Sequence, residues 1–528
     1  MIILLDGISV FVTNWQLIAG MLIFFFVITI PYLLSFKLPP TPASISMGII
    51  LALFIFLSLL LRLAYISKAL FPSYFDSAAH YMIIKNIIAN DLSWIFDSMR
   101  ANYYHMGFHL ITAFFTFVIQ VEISTVILVF GQIILTLLPF PFYFIVKHKT
   151  RSNWAGMFAA ILSAFGWYMP AHAVDWGKYP ALLSSYLIIP ILGLAYSFVQ
   201  KKDTLQIGKR IFTLVTLGVG ILFTTFVHSR SVIVLGMFAI AWVVSLWWGR
   251  RSQPHRHWIF LALLIALVFE VIIIQRYDVL QLLLDPYIKQ GVLVTSLVAL
   301  LSIFAYKKFP QLTFINLMTI SLLLVSLFIP VKELFTERDH LTLMDRPYVE
   351  MILFMPLSIL GGLGLAGFEK RIKSLYRSIV GIVIGWVLIY GIVNHDFSPA
   401  ECCVIVGDDD VAAMAWMVDQ LPVDARIGVA STALKVVVDD VVEGDVGADA
   451  GIWITPLIER RTYLLPHDSE FDQQPILDFL CAKRIDYLFV GELGQTFDVA
   501  RLDLRPGWYR PLLSMPRTRV YEVIGCDG

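Results

Sequence analysis

The stretch NYYHMGFHLITAFFTF, Asn102–Phe117, decides how this chain is wired through a membrane. Read as a span, it moves the preceding loop to the opposite side. Read as a surface helix, it joins residues 65–122 into one long loop. It begins with Asn102, Tyr103, Tyr104, His105 and His109, a wet start for a segment that would have to shed all its water. The apolar part, 106–121, is short against the roughly 20 residues that a crossing helix needs. A helix lying in the interface suits it better, with aromatic rings at headgroup level and an apolar face below.

The composition makes the bilayer the relevant solvent. Of 528 residues 58% are hydrophobic and 15% charged, where a soluble chain carries about 25% charged residues. Mean hydropathy is +0.78. The net charge of zero gives no reason to expect nucleic acid. The start, MIILLDGISVFVTNW, lacks the basic region of a cleavable signal and is expected to stay in the mature chain. Apolar runs of spanning length fall near 15–35, 46–66, 123–146, 153–172, 179–199, 209–227, 231–248, 257–275, 291–306, 311–330, 348–367 and 376–394. After Asn394 the texture changes to charged residues with Pro and Gly breaks. The expectation is a transmembrane domain over 1–394 with about 12 helices, and a soluble α/β domain over 395–528. In the latter, strands are expected at Ala425–Val429, Tyr487–Val490 and Val520–Val523, and a helix at Pro475–Ala482.

Orientation follows from Lys and Arg in short loops. KHKTR (147–151), QKKDTLQIGKR (200–210), GRRSQPHRH (249–257), YKK (306–308) and EKRIKSLYR (369–377) are basic and alternate with basic-poor or mixed loops. Placing the basic set in the cytoplasm puts the loop 65–122, the loop 172–178 and the C-terminal domain outside, in a multi-pass plasma-membrane protein. All four cysteines then lie outside. Neighbours Cys402 and Cys403 are expected not to bond each other, leaving a bridge to Cys481 or Cys526.

Polar chemistry concentrates in the external loops. In FPSYFDSAAHYMIIKN, Asp76 and His80 stand at i and i+4, one helix face. His105 and His109 repeat that spacing. The plain alternative is that Asp76 caps a helix starting at Ser77 and the histidines are interfacial polar groups. YMPAHAVDWGKYP sets Asp175 among His172, Trp176 and Lys178, and ionisable groups at such a depth are default functional candidates. Two carboxylates from separate loops can serve as general base and as orienter or metal ligand. His228 and Arg230 lie in a very short loop. In KELFTERDHLTLMDRPYVE, Arg338 and His340 read as solvated loop charge, whereas Arg346, followed by Pro347 at the start of a span, sits at phosphate depth. Arg suits phosphate because its planar fork donates two hydrogen bonds. Asp408–Asp410 precede a helix pattern and read as acids complementing its dipole. The sequence holds no Gly-rich phosphate loop, CxxC, HExxH or GxSxG.

With these positions on the page, the chain resembles the GT-C superfamily of membrane glycosyltransferases. The resemblance rests on YFDSAAHY after a span, YYHMGFH, HAVDWGKYP in the next external loop, and the soluble tail with GIWITPLIERRTYLL. It implies an inverting hexosyl- or pentosyltransferase of the cell envelope, taking a polyprenyl-phosphate-linked sugar to a glycan, lipid or protein acceptor. By that likeness Asp76 is the base and Asp175 its partner. His80, His105, His109, His172, Lys178, Arg230 and Arg346 would bind substrate. The superfamily often has two acids one residue apart in the first loop. Here Ser77 and Ala78 follow Asp76, which leaves open whether a divalent metal sits on Asp76 and Asp175 or a metal-free base acts. Three rival readings are a transporter or flippase of lipid-linked glycans, expected to show charges at mid-membrane, a ligase or polymerase for surface polysaccharides, and a non-catalytic membrane scaffold presenting the C-terminal domain.

Overall fold

The computed structural model describes residues 2–35, 42–90, 105–201, 206–331, 342–369, 376–436 and 444–526. Arg338, His340 and residues 102–104 lie outside them. The chain opens with α1 (Ile2–Thr13), α2 (Trp15–Ser35) and α3 (Pro42–Leu63), then α4 (Tyr74–Ala89) and α5 (Gly107–Ile119). There follow α6 (Ile123–Leu137), α7 (Pro139–Thr150), α8 (Asn153–Phe165), α9 (Tyr179–Lys201), α10 (Ile207–Val227), α11 (Arg230–Gly249) and α12 (Gln253–Ile274). The bundle ends with α13 (Asp278–Leu284), α14 (Val292–Lys308), α15 (Pro310–Val325), α16 (Arg346–Ile352), α17 (Phe354–Glu369) and α18 (Tyr376–Asn394).

Among the described residues nine helices are long and apolar enough to cross a bilayer. The number is ten if a pair bent by 75°, Asp278–Lys289 and Val292–Lys308, counts as one broken span. The chain is therefore a multi-span helical membrane protein. Segments 153–172 and 376–394, expected as full spans, form shorter apolar helices, Asn153–Phe165 and Ser378–Asn394. Thirteen residues reach only about 20 Å. The chain leaves the helix at Gly166 because the following loop is tied into the bundle: the Trp167 indole donates to Thr295 Oγ1 on α14 at 2.8 Å.

Burial sorts the helices. α6 and α8 are almost wholly buried, whereas α10 and α12 turn most of their apolar side chains outward. α14 and α17 approach at glycines: a Cβ on Gly364 or Gly367 would stand 2.4 Å from the carbonyl oxygen of Leu301 or Phe304. Small residues allow such backbone proximity where lipid supplies no hydrophobic drive. α5, the segment that decides the wiring, is one of the shorter apolar helices, thirteen residues long, and packs against α4, α6 and α2. Its start brings the His105 ring within 4.4 Å of His228. Past its other end, Glu122 meets Tyr81 on α4, whose ring packs on Trp453 of the C-terminal domain.

The C-terminal domain holds a six-stranded sheet of β1 (Arg426–Leu434), β2 (Gly444–Gly447), β3 (Arg461–Pro466), β4 (Tyr487–Val490), β5 (Tyr509–Ser514) and β6 (Arg519–Val523). The order is β2-β1-β4-β6-β5, with β3 parallel to β1. The expected strands match β1, β4 and β6, and the expected helix is Gln474–Lys483. Asp408–Asp410 do open a helix, and Asp410 accepts from Gly407 N, Glu492 N and Thr518 Oγ1. The cysteine expectation is corrected in both parts, since neither Cys402 nor Cys403 bridges to Cys481 or Cys526. Cys481 bonds Cys526, tying the helix Gln474–Lys483 to the chain's end, but Cys402 bonds its neighbour Cys403. The fold carries residues 402–403 to the bundle surface, where Cys403 O accepts from Tyr74 N, far from the other pair.

Candidate functional site

Asp76 stands in the first turn of α4. The helix begins earlier than expected, at Tyr74 with Ser73 as N-cap, so Asp76 is not the cap. Instead its carboxylate pairs with the Lys178 ammonium. Gly177 makes that pairing reachable. Its φ of +65° lies in the left-handed region, and a Cβ there would stand 2.6 Å from Ser77 Oγ and 3.2 Å from Asp76 Cβ. A bare backbone thus presses the 175–178 loop against α4. Burial pulls the Lys178 ammonium down, but Asp76, aided by Asp345, outweighs it and holds the group above its ordinary value.

His80 lies one turn on, on the same face, as the i, i+4 spacing requires. It is buried, its Nδ1 is 2.9 Å from His109 Nε2, and it bonds the backbone of Gly177. Burial pushes His80 down to about 4 and His105 down to about 3. Both imidazoles are therefore neutral at pH 7 and offer hydrogen bonds rather than charge. The His228 ring stacks on Tyr348 at 4.7 Å, continuing the aromatic line from α5 to α16.

The cations converge from three separate segments. Arg230, at the start of α11, pairs with Asp345 at 2.6 Å. Asp345 also caps α16, accepting from Tyr348 N at 3.0 Å. Arg346 follows it, 3.5 Å from Glu350 and over the Trp176 ring at 5.6 Å. Its Nε is buried and meets no acceptor among the described residues. Lys178 is within electrostatic reach of Arg230 and Asp345, and Tyr74 within reach of Lys178, Asp76 and Arg346. Three cations thus share a single basin with the carboxyl groups of Asp76, Asp345 and Glu350.

Asp175 has a different place. It is buried and accepts from Tyr65 OH at 2.8 Å, His172 Nδ1 at 2.9 Å and Ala400 N at 3.0 Å. It fastens the end of α3, its own loop and the entry to the soluble domain. With its oxygens so engaged, Asp175 acts as an orienter of chain segments. Among the described residues no hydrogen bond or ion pair joins it to Asp76. His172 goes with Asp175 and leaves the basin.

A divalent ion shared by Asp76 and Asp175 does not fit this donor set. The Lys178 ammonium takes the Asp76 carboxylate, and both oxygens of Asp175 are already engaged, by three donors. The potential ligand atoms that do cluster, within 4.8 Å of one another, belong to His172, Cys402 and Cys403. Sulfurs bonded to each other offer no thiolate to a metal.

The soluble domain seats directly on this centre. Phe71 and Tyr81 pack on Trp453 at 5.1 and 5.6 Å between centroids, and Lys85 pairs with Glu459 at 2.7 Å. Tyr74 N donates to Cys403 O and Arg346 N to Val436 O. The sequence reading missed Asp345 and Tyr65. An Asp before Arg-Pro was a legible cap signal for Asp345, since Pro favours the first helical position. No local signal announced Tyr65.

Fold and site define a polytopic helical membrane protein with a carboxylate–cation centre where its C-terminal sheet domain meets the bundle. The chain belongs to a family of unknown function, DUF6541, whose model matches residues 33–313. That stretch holds Asp76, Asp175, Lys178 and Arg230, while Arg346 and the soluble domain follow it. No curated protein matches the chain.

Proposed function

We propose that the protein is a GT-C-like membrane glycosyltransferase that moves a sugar from a polyprenyl-phosphate donor to an acceptor hydroxyl on the extracytoplasmic side. The observation that carries the reading is the basin itself. A carboxylate able to take a proton stands beside three cations at the bundle end, which is what phosphate departure from a sugar demands. The basic loops at the opposite end support an external basin, and short α8 and α18 are compatible with about 12 crossings where the bundle is locally thin.

In this mechanism the acceptor oxygen attacks the anomeric carbon from the face opposite the phosphate. The carbon–oxygen bond to phosphate breaks, its electron pair leaves with the lipid phosphate, and Asp76 takes the hydroxyl proton. The configuration inverts. Arg346, with its unpartnered Nε, and Arg230 receive the phosphate. Lys178 exchanges Asp76 for the arriving phosphate and so frees the base. His105, neutral, orients hydroxyls, while His80, bonded to His109 and to the Gly177 backbone, keeps the 175–178 loop against α4. The soluble domain, resting on α4, is suited to present the acceptor.

A flippase would set charges at mid-membrane for its cargo. The charged groups described inside helices serve helix contacts instead: Arg62 donates to Ala164 O at 2.7 Å and Ser321 to Glu270 at 2.6 Å. The test is release of polyprenyl phosphate by the reconstituted protein from a panel of polyprenyl-phosphate hexoses and pentoses. Arg346→Ala should cut turnover by roughly 10²–10³, the cost of removing one preorganised donor. Unchanged turnover in that variant would remove the phosphate role.

A further inference from the structure

At the end of the bundle away from the soluble domain lies a cavity of about 290 Å³ among α7, α9, α10, α11, α15 and α17. It plays no part in the basin: Tyr196 on α9 stands about 25 Å along the helix from Tyr179. Its walls are mostly apolar, Trp242 and Ile221 among them. Its polar groups are few, chiefly Lys149, Tyr196 and Asn316. Ile221 and Ala239 are both wall residues and exposed on the outer surface of α10 and α11, so the cavity opens sideways towards lipid.

Lys149 closes the last turn of α7 with Lys147 and His148. Its ammonium bonds the Tyr196 phenol and lies 4.9 Å from that ring's centroid. Among the described residues this leaves a cation, held by a phenol beside an apolar cavity that opens to the bilayer, with no carboxylate as counter-charge. An apolar chain joined to an anionic head satisfies both halves of the site at once.

We propose that this cavity binds one membrane phospholipid with an anionic headgroup, an acyl chain inside and the phosphate on Lys149. The full chain, purified in mild detergent, is exposed to phosphatidylglycerol, to phosphatidylcholine of the same chain length and to polyprenyl phosphate, and retained lipid is weighed by native mass spectrometry. Phosphatidylglycerol should be retained at one per chain and preferred. Lys149→Gln should reduce the preference over phosphatidylcholine about fivefold, the worth of one interfacial cation. Ala239→Phe, which fills the cavity, should abolish retention. Monodisperse elution with an unchanged melting temperature shows that each variant is folded. If Ala239→Phe fails to fold, Lys149→Gln alone decides. Equal retention of both phospholipids, no change in Lys149→Gln, or preference for polyprenyl phosphate would each overturn the proposal.

Discussion

Asp76 and His80 share a face because residues four apart do so in any helix, and that much the sequence made plain. What it concealed is the partner of each. Lys178 and Gly177 lie about a hundred residues on, and only the left-handed φ of Gly177 lets the loop approach. Gly177→Ala should therefore cost more than an ordinary glycine substitution, well over about 1 kcal/mol, and displace Asp76. A lowered melting temperature together with a turnover loss larger than any change in donor KM would show both effects. His80 supplies a pH dependence. Its native value near 4 lies below the ordinary imidazole value, so between about pH 6.5 and 4 the unfolded chain binds more protons than the native one. Stability contributed by neutral His80 is complete above that window and is lost as pH falls through it. The melting temperature of the wild type should fall on acidification through this window, and His80→Asn should flatten that slope.

At the scale of elements, the periodicity and length of apolar runs marked most helices, and the short apolar run at 106–121 became a helix of thirteen residues. Lengths misled where tertiary contacts intervene. α8 stops after thirteen residues because Trp167 and its loop are anchored to α14. Asp175 shows the same limit. Its donors Tyr65 and Ala400 are 110 and 225 residues away in sequence, so spacing could suggest a functional acid but not its role. Asp175→Ala leaves a buried phenol and a backbone N–H without their acceptor, at about 1–3 kcal/mol each. The variant should melt several degrees lower, with faster hydrogen exchange around Ala400. A variant as stable as the wild type would deny Asp175 its fastening role.

For the whole molecule, composition fixed the membrane class, and the break at Asn394 separated bundle from sheet domain. The docking of the two was not legible, since Trp453 meets Phe71 and Tyr81 across nearly the whole chain. Orientation is the prediction proper to this scale. Single cysteines at Thr150 and at Asp468 should label from opposite sides of intact cells, Asp468 from outside. Labelling of both from one side would undo the topology on which the external basin depends.

The most direct measurement concerns Asp76. Reconstituted wild type and Asp76→Asn would be compared for polyprenyl phosphate release from the donor that wild type turns over best, with both proteins shown to melt alike. Loss of the general base should lower turnover by about 10²–10⁴, with donor binding retained. Asp76→Asn turning over donor at the wild-type rate would contradict the account.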